Sequence, residues 1–228
     1  MNEIIRKRKS IRKYDMTILD DATMNKVRGQ ISNLIPLYPN ISHKIEIVSK
    51  TKGMFGIKAP HYLAFFGENI DGSHENIGFI GQQMDLFFSE LGLGACWLGV
   101  AKPEKKELDG MHCIITMSFG KPAQPLYRDL SAFKRKPLSE ISEGIDERLE
   151  AARLAPSGMN TQNWYFIADN GKIHCYRKKS LLGFMDKMTC VDIGIAIYHI
   201  AVETDGFIFN INTNPPVKDG YTYVGTLS

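Results

Sequence analysis

Two stretches of this 228-residue chain are too apolar to form an outer surface. From Asn76 to Leu91 the apolar residues Ile77, Ile80, Met84, Phe87, Phe88 and Leu91 recur at helical spacing, and from Val191 to Val202 the sequence is apolar nearly all round. A surface helix keeps one polar side for water, whereas a helix without one is covered by other elements. The chain must therefore wrap two central helices. Gly78 and Gly81 sharpen that constraint, because each costs a helix about 1 kcal/mol relative to alanine, a cost that close packing against another backbone offsets.

The elements around these helices are predicted in the same order twice. Asp20 and Asp21 give an acidic start to a helix over Ala22 to Leu34, which ends before Pro36 and Pro39. Strands follow at Lys44 to Val48 and Tyr62 to Phe66, then the first buried helix, a short helix opened by Pro103, and a strand from His112 to Phe119. After a polar connector, Lys121 to Ser142, the residues Ile145, Leu149 and Ala152 mark a short helix stopped by Pro156. Strands at Trp164 to Ala168 and Lys172 to Tyr176 flank Asn170-Gly171, a strong hairpin signal, and the second buried helix and a strand at Tyr221 to Val224 complete the set. The fold class is α+β: two similar halves, 1–138 and 139–228, each running helix, strand, strand, buried helix, strand, packed around the central helices as one unit. Asn76-Ile-Gly-Phe-Ile-Gly echoes Val191-Asp-Ile-Gly-Ile-Ala, which favours an internal duplication over an ordinary α+β domain whose elements alternate by chance.

A net charge of +3 is too small for nucleic acid or a membrane to be the main partner. The four cysteines form no C-x-x-C pair and have no histidine at zinc spacing, so neither a metal site nor a redox dithiol is indicated. With no apolar run of signal or membrane-span length, the expected location is the cytoplasm.

Four segments carry chemistry. In Arg8-Lys9-Ser10-Ile11-Arg12, alternate side chains project to one side of an extended segment, so two guanidinium groups and a hydroxyl can converge on a phosphate; taken alone, the segment reads better as a solvated basic terminus or one attracted nonspecifically to anionic surfaces. In Leu91-Gly-Leu-Gly-Ala-Cys-Trp-Leu-Gly99, Gly92 can end a helix in the left-handed conformation, and the backbone N–H groups of Leu98 and Gly99 are free to face a ring edge. The alternative is a tight turn with Trp97 in the core. Ala155-Pro-Ser-Gly-Met-Asn-Thr-Gln-Asn-Trp164 offers uncharged polar groups suited to a heterocycle, or is a plain loop. Lys134-Arg135-Lys136-Pro137 returns to the same phosphate or is a solvated connector. His199, in the apolar helix, reads as a hydrogen-bonded core histidine.

Together these segments resemble the FMN-dependent nitroreductase family. Its hallmarks are an R-x-S-x-R phosphate segment, a P-S-x-x-N-x-Q-P-W loop and an L-G-L-G-x-x-W turn. Here the P-S-x-x-N loop follows the glycine turn, an order that resembles the short, internally duplicated TM branch, where TM denotes a thermophilic source rather than transmembrane. The resemblance implies a nitroreductase-like fold and FMN as cofactor, with NAD(P)H as hydride donor and a small electron-poor acceptor such as a nitroaromatic or quinone. It implies no catalytic side chain, because the flavin carries the chemistry. Arg8, Ser10, Arg12 and Arg135, with Lys9 and Lys134 in the same set, would hold the phosphate. The backbone of Trp97, Leu98 and Gly99 would face the flavin, Pro156, Ser157, Gly158 and Asn160 would come from the second half, and Gln162 would support their loop. The family's contact to the pyrimidine edge is expected near Met54 to Lys58. Gly158 stands for a frequent serine and Asn163 for the usual proline. One FMN per chain is expected, in a monomer or homodimer, because the second half repeats neither the arginines nor the glycine turn. A non-redox flavin binder and a basic interaction module are the competing readings.

Overall fold

The computed structural model describes residues 2–53, 57–180 and 182–228. In chain order its elements are α1 (Glu3–Lys7), α2 (Asp21–Ser32), β1 (His43–Val48), β2 (His61–Gly67), α3 (Ser73–Glu90), β3 (Gly94–Leu98), β4 (Glu107–Leu108) and β5 (Met111–Gly120). They continue with α4 (Leu138–Ile141), β6 (Ser142–Glu143), α5 (Leu149–Leu154), β7 (Trp164–Asp169), β8 (Lys172–Lys178), α6 (Gly183–Ala201), β9 (Phe209–Asn210) and β10 (Tyr221–Leu227). The acidic start of α2 works as a cap, with the Asp20 carboxylate accepting from the Thr23 amide at 2.8 Å.

The two apolar stretches are α3 and α6, and they pack directly on each other. A Cβ on Gly78 would overlap the Val191 carbonyl of α6, and a Cβ on Gly194 would overlap the Glu75 carbonyl of α3. Gly78 stands three positions after Glu75 and Gly194 three after Val191, so the crossing is reciprocal about a local two-fold axis. That axis pairs Asn76 with Asp192, one residue away from the register in which the sequences echo. Gly81 serves a different neighbour, with the Trp97 indole occupying the space a Cβ would need.

One sheet has the order β1-β2-β5-β3, with β4 paired to β5, and the other the order β6-β7-β8-β10-β9. Setting β6 and β4 aside, the order is the same in both when β1, β2, β5 and β3 are matched to β7, β8, β10 and β9. A single apolar cluster takes Leu63, Phe65 and Phe119 from the first sheet, Trp164, Phe166 and Leu227 from the second, and Phe79 and Ile193 from the helices. The architecture is α+β. Among the described residues, no helix is long and apolar enough to cross a membrane.

Three expectations are corrected. No helix follows Pro103; β4 and β5 instead form a hairpin through Asp109 (φ 50°) and Gly110 (φ 80°), a two-residue turn whose dihedrals match the twist of the strands. The glycine turn is mostly strand: Gly92 ends α3 at φ 75°, and Gly94 to Leu98 form β3, giving each half an extra strand after its long helix. Ile145 is fully exposed, and α5 begins only at Leu149. The Asp146 carboxylate binds the backbone and guanidinium of Arg148 and holds the preceding segment outside the helix.

Gly194→Ala should therefore destabilise the chain by about 2 kcal/mol or more in urea unfolding, since rigid backbone cannot yield to the added methyl. Gly29→Ala, on an open face of α2, should stabilise it by roughly 0.5–1 kcal/mol in the same experiment.

Candidate functional site

Between β3 and α6 lies a cavity of about 290 Å³. One wall is a single stripe of α6, where Met188, Val191, Asp192 and Ile195 follow helical spacing. Opposite stand Cys96, Trp97 and Gly99 from β3 and its end, with Ile115 of β5. The loop from Pro156 to Asn163 closes one side. The lining is mainly apolar and comes from both halves, which suits a flat ring system.

Trp97 is fixed in this wall. Its ring stacks at 5.7 Å on Phe65, and its Nε1 donates to Gln82 Oε1 at 3.2 Å. Gln82 Nε2 in turn donates to Asp85 Oδ2 at 2.9 Å and lies 3.0 Å from His199 Nε2. His199 Nδ1 lies 2.9 Å from the Ala151 carbonyl, so it carries the proton and Nε2 accepts. Burial pushes the His199 imidazole down to about 3, which keeps it neutral in its structural role. The network ties the cavity wall to α5, which leads into the Pro156 loop.

A second cavity, of about 500 Å³, adjoins the first and shares Ser10, Arg12, Pro156, Ser157 and Met159 with it. Its character is the opposite: Arg8, Lys9, Arg12, Arg128, Lys134 and Arg135 line it. Burial, and then the neighbouring guanidinium groups, hold Arg135 down at about 9; burial and Arg8 hold Arg128 at about 10. Cations crowded together in a recess in this way suit an anion. Arg8 is already committed, its Nε 2.9 Å from Asp85 Oδ2 with both side chains 1% exposed. Arg128 stacks 3.5 Å from the Phe133 ring centroid, and among the described residues the buried Nε of Arg135 has no hydrogen-bond partner. These groups fit a phosphate, which would supply the acceptors and the charge that the cluster lacks.

The Pro156 loop is held in a strained form, with positive φ at Met159 (50°), Asn160 (58°) and Gln162 (49°). Gln162 is buried beneath it, accepting from the Lys136 amide at 2.8 Å and donating to the Asn160 carbonyl at 3.0 Å. Ser157 Oγ accepts from the Gln162 amide, Asn160 joins Arg135 to the Lys134 carbonyl, and Gly158 N donates to Asp192 Oδ1 at 2.9 Å.

Of the residues read from the sequence, Arg8, Lys9, Ser10, Arg12, Lys134, Arg135, Pro156, Ser157 and Asn160 line the cationic cavity, and Trp97, Gly99 and Gly158 line the ring cavity. Leu98 and Gln162 line neither. The expectation of a free Leu98 N–H is corrected. Ile11 N bonds the outer edge of β3 at Ala95, so Leu98, three residues on, turns its backbone inward to β5 opposite Thr116. The pyrimidine-edge contact expected near Met54 to Lys58 falls largely on Met54, Phe55 and Gly56, outside the described residues. Sequence reading missed Arg128, Met188 and Asp192. Arg128 lies in a connector with no basic run, while Asp192 had a usable signal, the one carboxylate in the apolar stretch Val191 to Val202.

The apolar cavity and the cluster of guanidinium groups beside it share the residues Ser10, Arg12, Pro156, Ser157 and Met159. Residues 1–204 match the family model described as "Putative TM nitroreductase", and the chain belongs to that family. It is similar to a "putative nitroreductase" of Thermotoga maritima, at 20% identity over 99% of this chain and 90% of that one, with a TM-score of 0.67. A nitroreductase family protein of Clostridium difficile 630 matches at 18% identity over 61% of this chain and 96% of that one, TM-score 0.49. An FMN-dependent nitroreductase of C. difficile R20291 matches at 17% identity over 57% and 93%, TM-score 0.45. No curated protein matches.

Burial raises the Asp192 carboxyl to about 7, against the Gly158 hydrogen bond, which acts to lower it. The folded chain then holds a proton that the unfolded chain releases near pH 4, so this group's contribution to stability is full below about pH 4 and lost as pH rises through about 7. Asp192→Asn should gain melting temperature over the wild type at pH 8, by a margin that shrinks toward pH 5, as followed by circular dichroism.

Proposed function

We propose that this chain is an FMN-dependent NAD(P)H oxidoreductase that reduces nitroaromatics, quinones or similar electron-poor acceptors by a ping-pong hydride transfer. The observation that carries this reading is the adjacency of the two cavities, one apolar, the other cationic, with Ser10, Arg12, Pro156, Ser157 and Met159 common to both. Family membership and the FMN dependence of a similar nitroreductase support it.

Arg12, Arg128 and Arg135 would hold the phosphate, with Lys9, Ser10, Lys134 and Asn160 around it. Trp97, Met188, Val191 and Ile195 would enclose the ring and exclude water, and Pro156, Ser157 and Gly158 would border it. Bound FMN would supply hydride chemistry, which the side chains alone do not. Cations beside the cofactor would favour the form that carries added negative charge after two-electron reduction.

We also read the repeated strand order as an internal duplication of residues 1–138 and 139–228, with one FMN per chain between the halves. The place related by the local axis is a cavity of about 600 Å³ lined by Tyr38, Glu75, Arg177 and Asp186. There Arg177 pairs with Asp186 at 2.8 Å and with Glu75 at 3.8 Å, and these side chains give polar walls unsuited to a flat apolar ring.

Titration with FMN should give one bound flavin per chain, with an absorbance band that NADH or NADPH bleaches without oxygen and a nitroaromatic restores. Arg128→Ala and Arg135→Ala should each weaken FMN binding roughly 10- to 100-fold while leaving riboflavin, which has no phosphate, nearly unaffected. Equal losses for both ligands, or two flavins per chain, would contradict the assignment.

A further inference from the structure

The local two-fold axis makes Asn76 and Asp192 counterparts, and both hold the loop before a sheet's first long strand. Asn76 Oδ1 accepts from the Leu37 amide at 2.8 Å, and Asp192 Oδ1 accepts from the Gly158 amide at 2.9 Å. Leu37 lies six residues before β1 and Gly158 six before β7, so the two bonds are equivalent. In the first half a neutral amide does this work, and it also accepts from the Tyr38 amide and donates toward the Tyr38 and Ile41 carbonyls. Loop-holding therefore does not require an acid.

Asp192 differs from Asn76 in what its second oxygen meets. Among the described residues, Oδ2 has no hydrogen-bond partner, and the 6%-exposed side chain lines the ring cavity. The charged or titratable groups on the surrounding elements include Arg12 and Cys96 in the cavity, Glu75 on α3, Arg177 on β8, and Asp186, Lys187, Cys190, Tyr198 and His199 on α6 itself. None forms an ion pair or hydrogen bond with Asp192. Tyr165 of β7 packs in the cluster on the other face of its sheet, and the 157–163 loop carries no titratable side chain.

The geometry points to Asp192, on the wall of the ring cavity, as the acid that gives a proton to the electron acceptor bound beside the flavin. This rests on the flavin reading above. When a quinone gains the hydride that originates on the nicotinamide and is relayed by FMN, one of its oxygens must also gain a proton. The O–H bond at Asp192 Oδ2 breaks, an O–H bond forms on the acceptor, and solvent reprotonates the carboxylate. Burial that keeps the group protonated to about pH 7 leaves it loaded at neutral pH.

The test compares wild type with Asp192→Asn, a residue whose fit at this position Asn76 demonstrates. Ligand-free protein is titrated by infrared difference spectroscopy from about pH 5 to about pH 9, and FMN-loaded, anaerobically reduced protein is mixed rapidly with a benzoquinone over the same range. Wild type should show a carboxylic C=O band that disappears as pH rises through neutrality and is missing from the variant. Its flavin reoxidation should slow about tenfold per pH unit above that inflection. In Asp192→Asn, reoxidation at pH 6 should be roughly 100-fold slower and the profile flat, with FMN affinity within about threefold of wild type. Asp192→Glu, which keeps the acid, should retain the pH dependence. Coincident quinone profiles in wild type and Asp192→Asn, or no titrating band in wild type, would overturn the proton assignment while leaving the flavin reading intact. A wild-type chain that takes up no FMN would overturn both.

Discussion

The molecule is organised by the contact of two backbones. Gly78 and Gly194 let α3 and α6 approach until each helix touches the other's carbonyl groups, closer than any side chain would permit. Both helices are thereby covered on this side, and the two sheets are left to cover the rest. The stripe of α6 that turns away from the crossing becomes one wall of the ring cavity. Gly81 carries the same logic outward, because the indole that fills its missing side chain is the Trp97 wall of that cavity. Packing at the axis thus sets the position of groups some turns away from it.

Polarity is distributed with equal economy. Inside, the Trp97–Gln82–His199–Ala151 chain satisfies polar groups that the apolar core would otherwise strand, and it joins β3, α3, α6 and α5. At the rim, Arg8 is neutralised by Asp85, while burial, and then neighbouring guanidinium groups, lower the basicity of Arg128 and Arg135. The first arrangement is complete within the protein. The second leaves crowded cations without a counter-charge; a phosphate bound there, as proposed, would supply one and would raise stability through binding to the folded state alone.

Much of this was legible in the residues. The two buried helices announced themselves by periodicity, and Asn170-Gly171 marked its hairpin, with φ of 48° and 74° in the structure. The arginine segment, the glycine turn and the P-S-x-x-N loop resembled one family, and the structure brings most of their side chains to two joined cavities. What stayed hidden depended on pairing partners. The β3 strand read as a turn because its glycines mask a ladder with β5, and Leu98 seemed free because strand parity is set by where Ile11 docks. Asp109-Gly110 was a hairpin signal passed over in favour of Pro103 as a helix start. Arg128 had no local pattern at all; only the return of its connector beside Arg8, where its Nε donates to the Arg8 carbonyl, makes it part of the recess.

The pairing of Asn76 with Asp192 has a consequence for how such a chain changes over generations. In a symmetric assembly of identical subunits, every substitution appears at both related positions, so a residue must serve two sites at once. Here the related positions are encoded separately. An amide can be optimised for scaffolding on one side of the axis and a carboxyl kept on the other, and neither choice is copied to its counterpart. One chain thus lets each member of a related pair take its own task, and the axis is a rule of geometry without being a rule of composition.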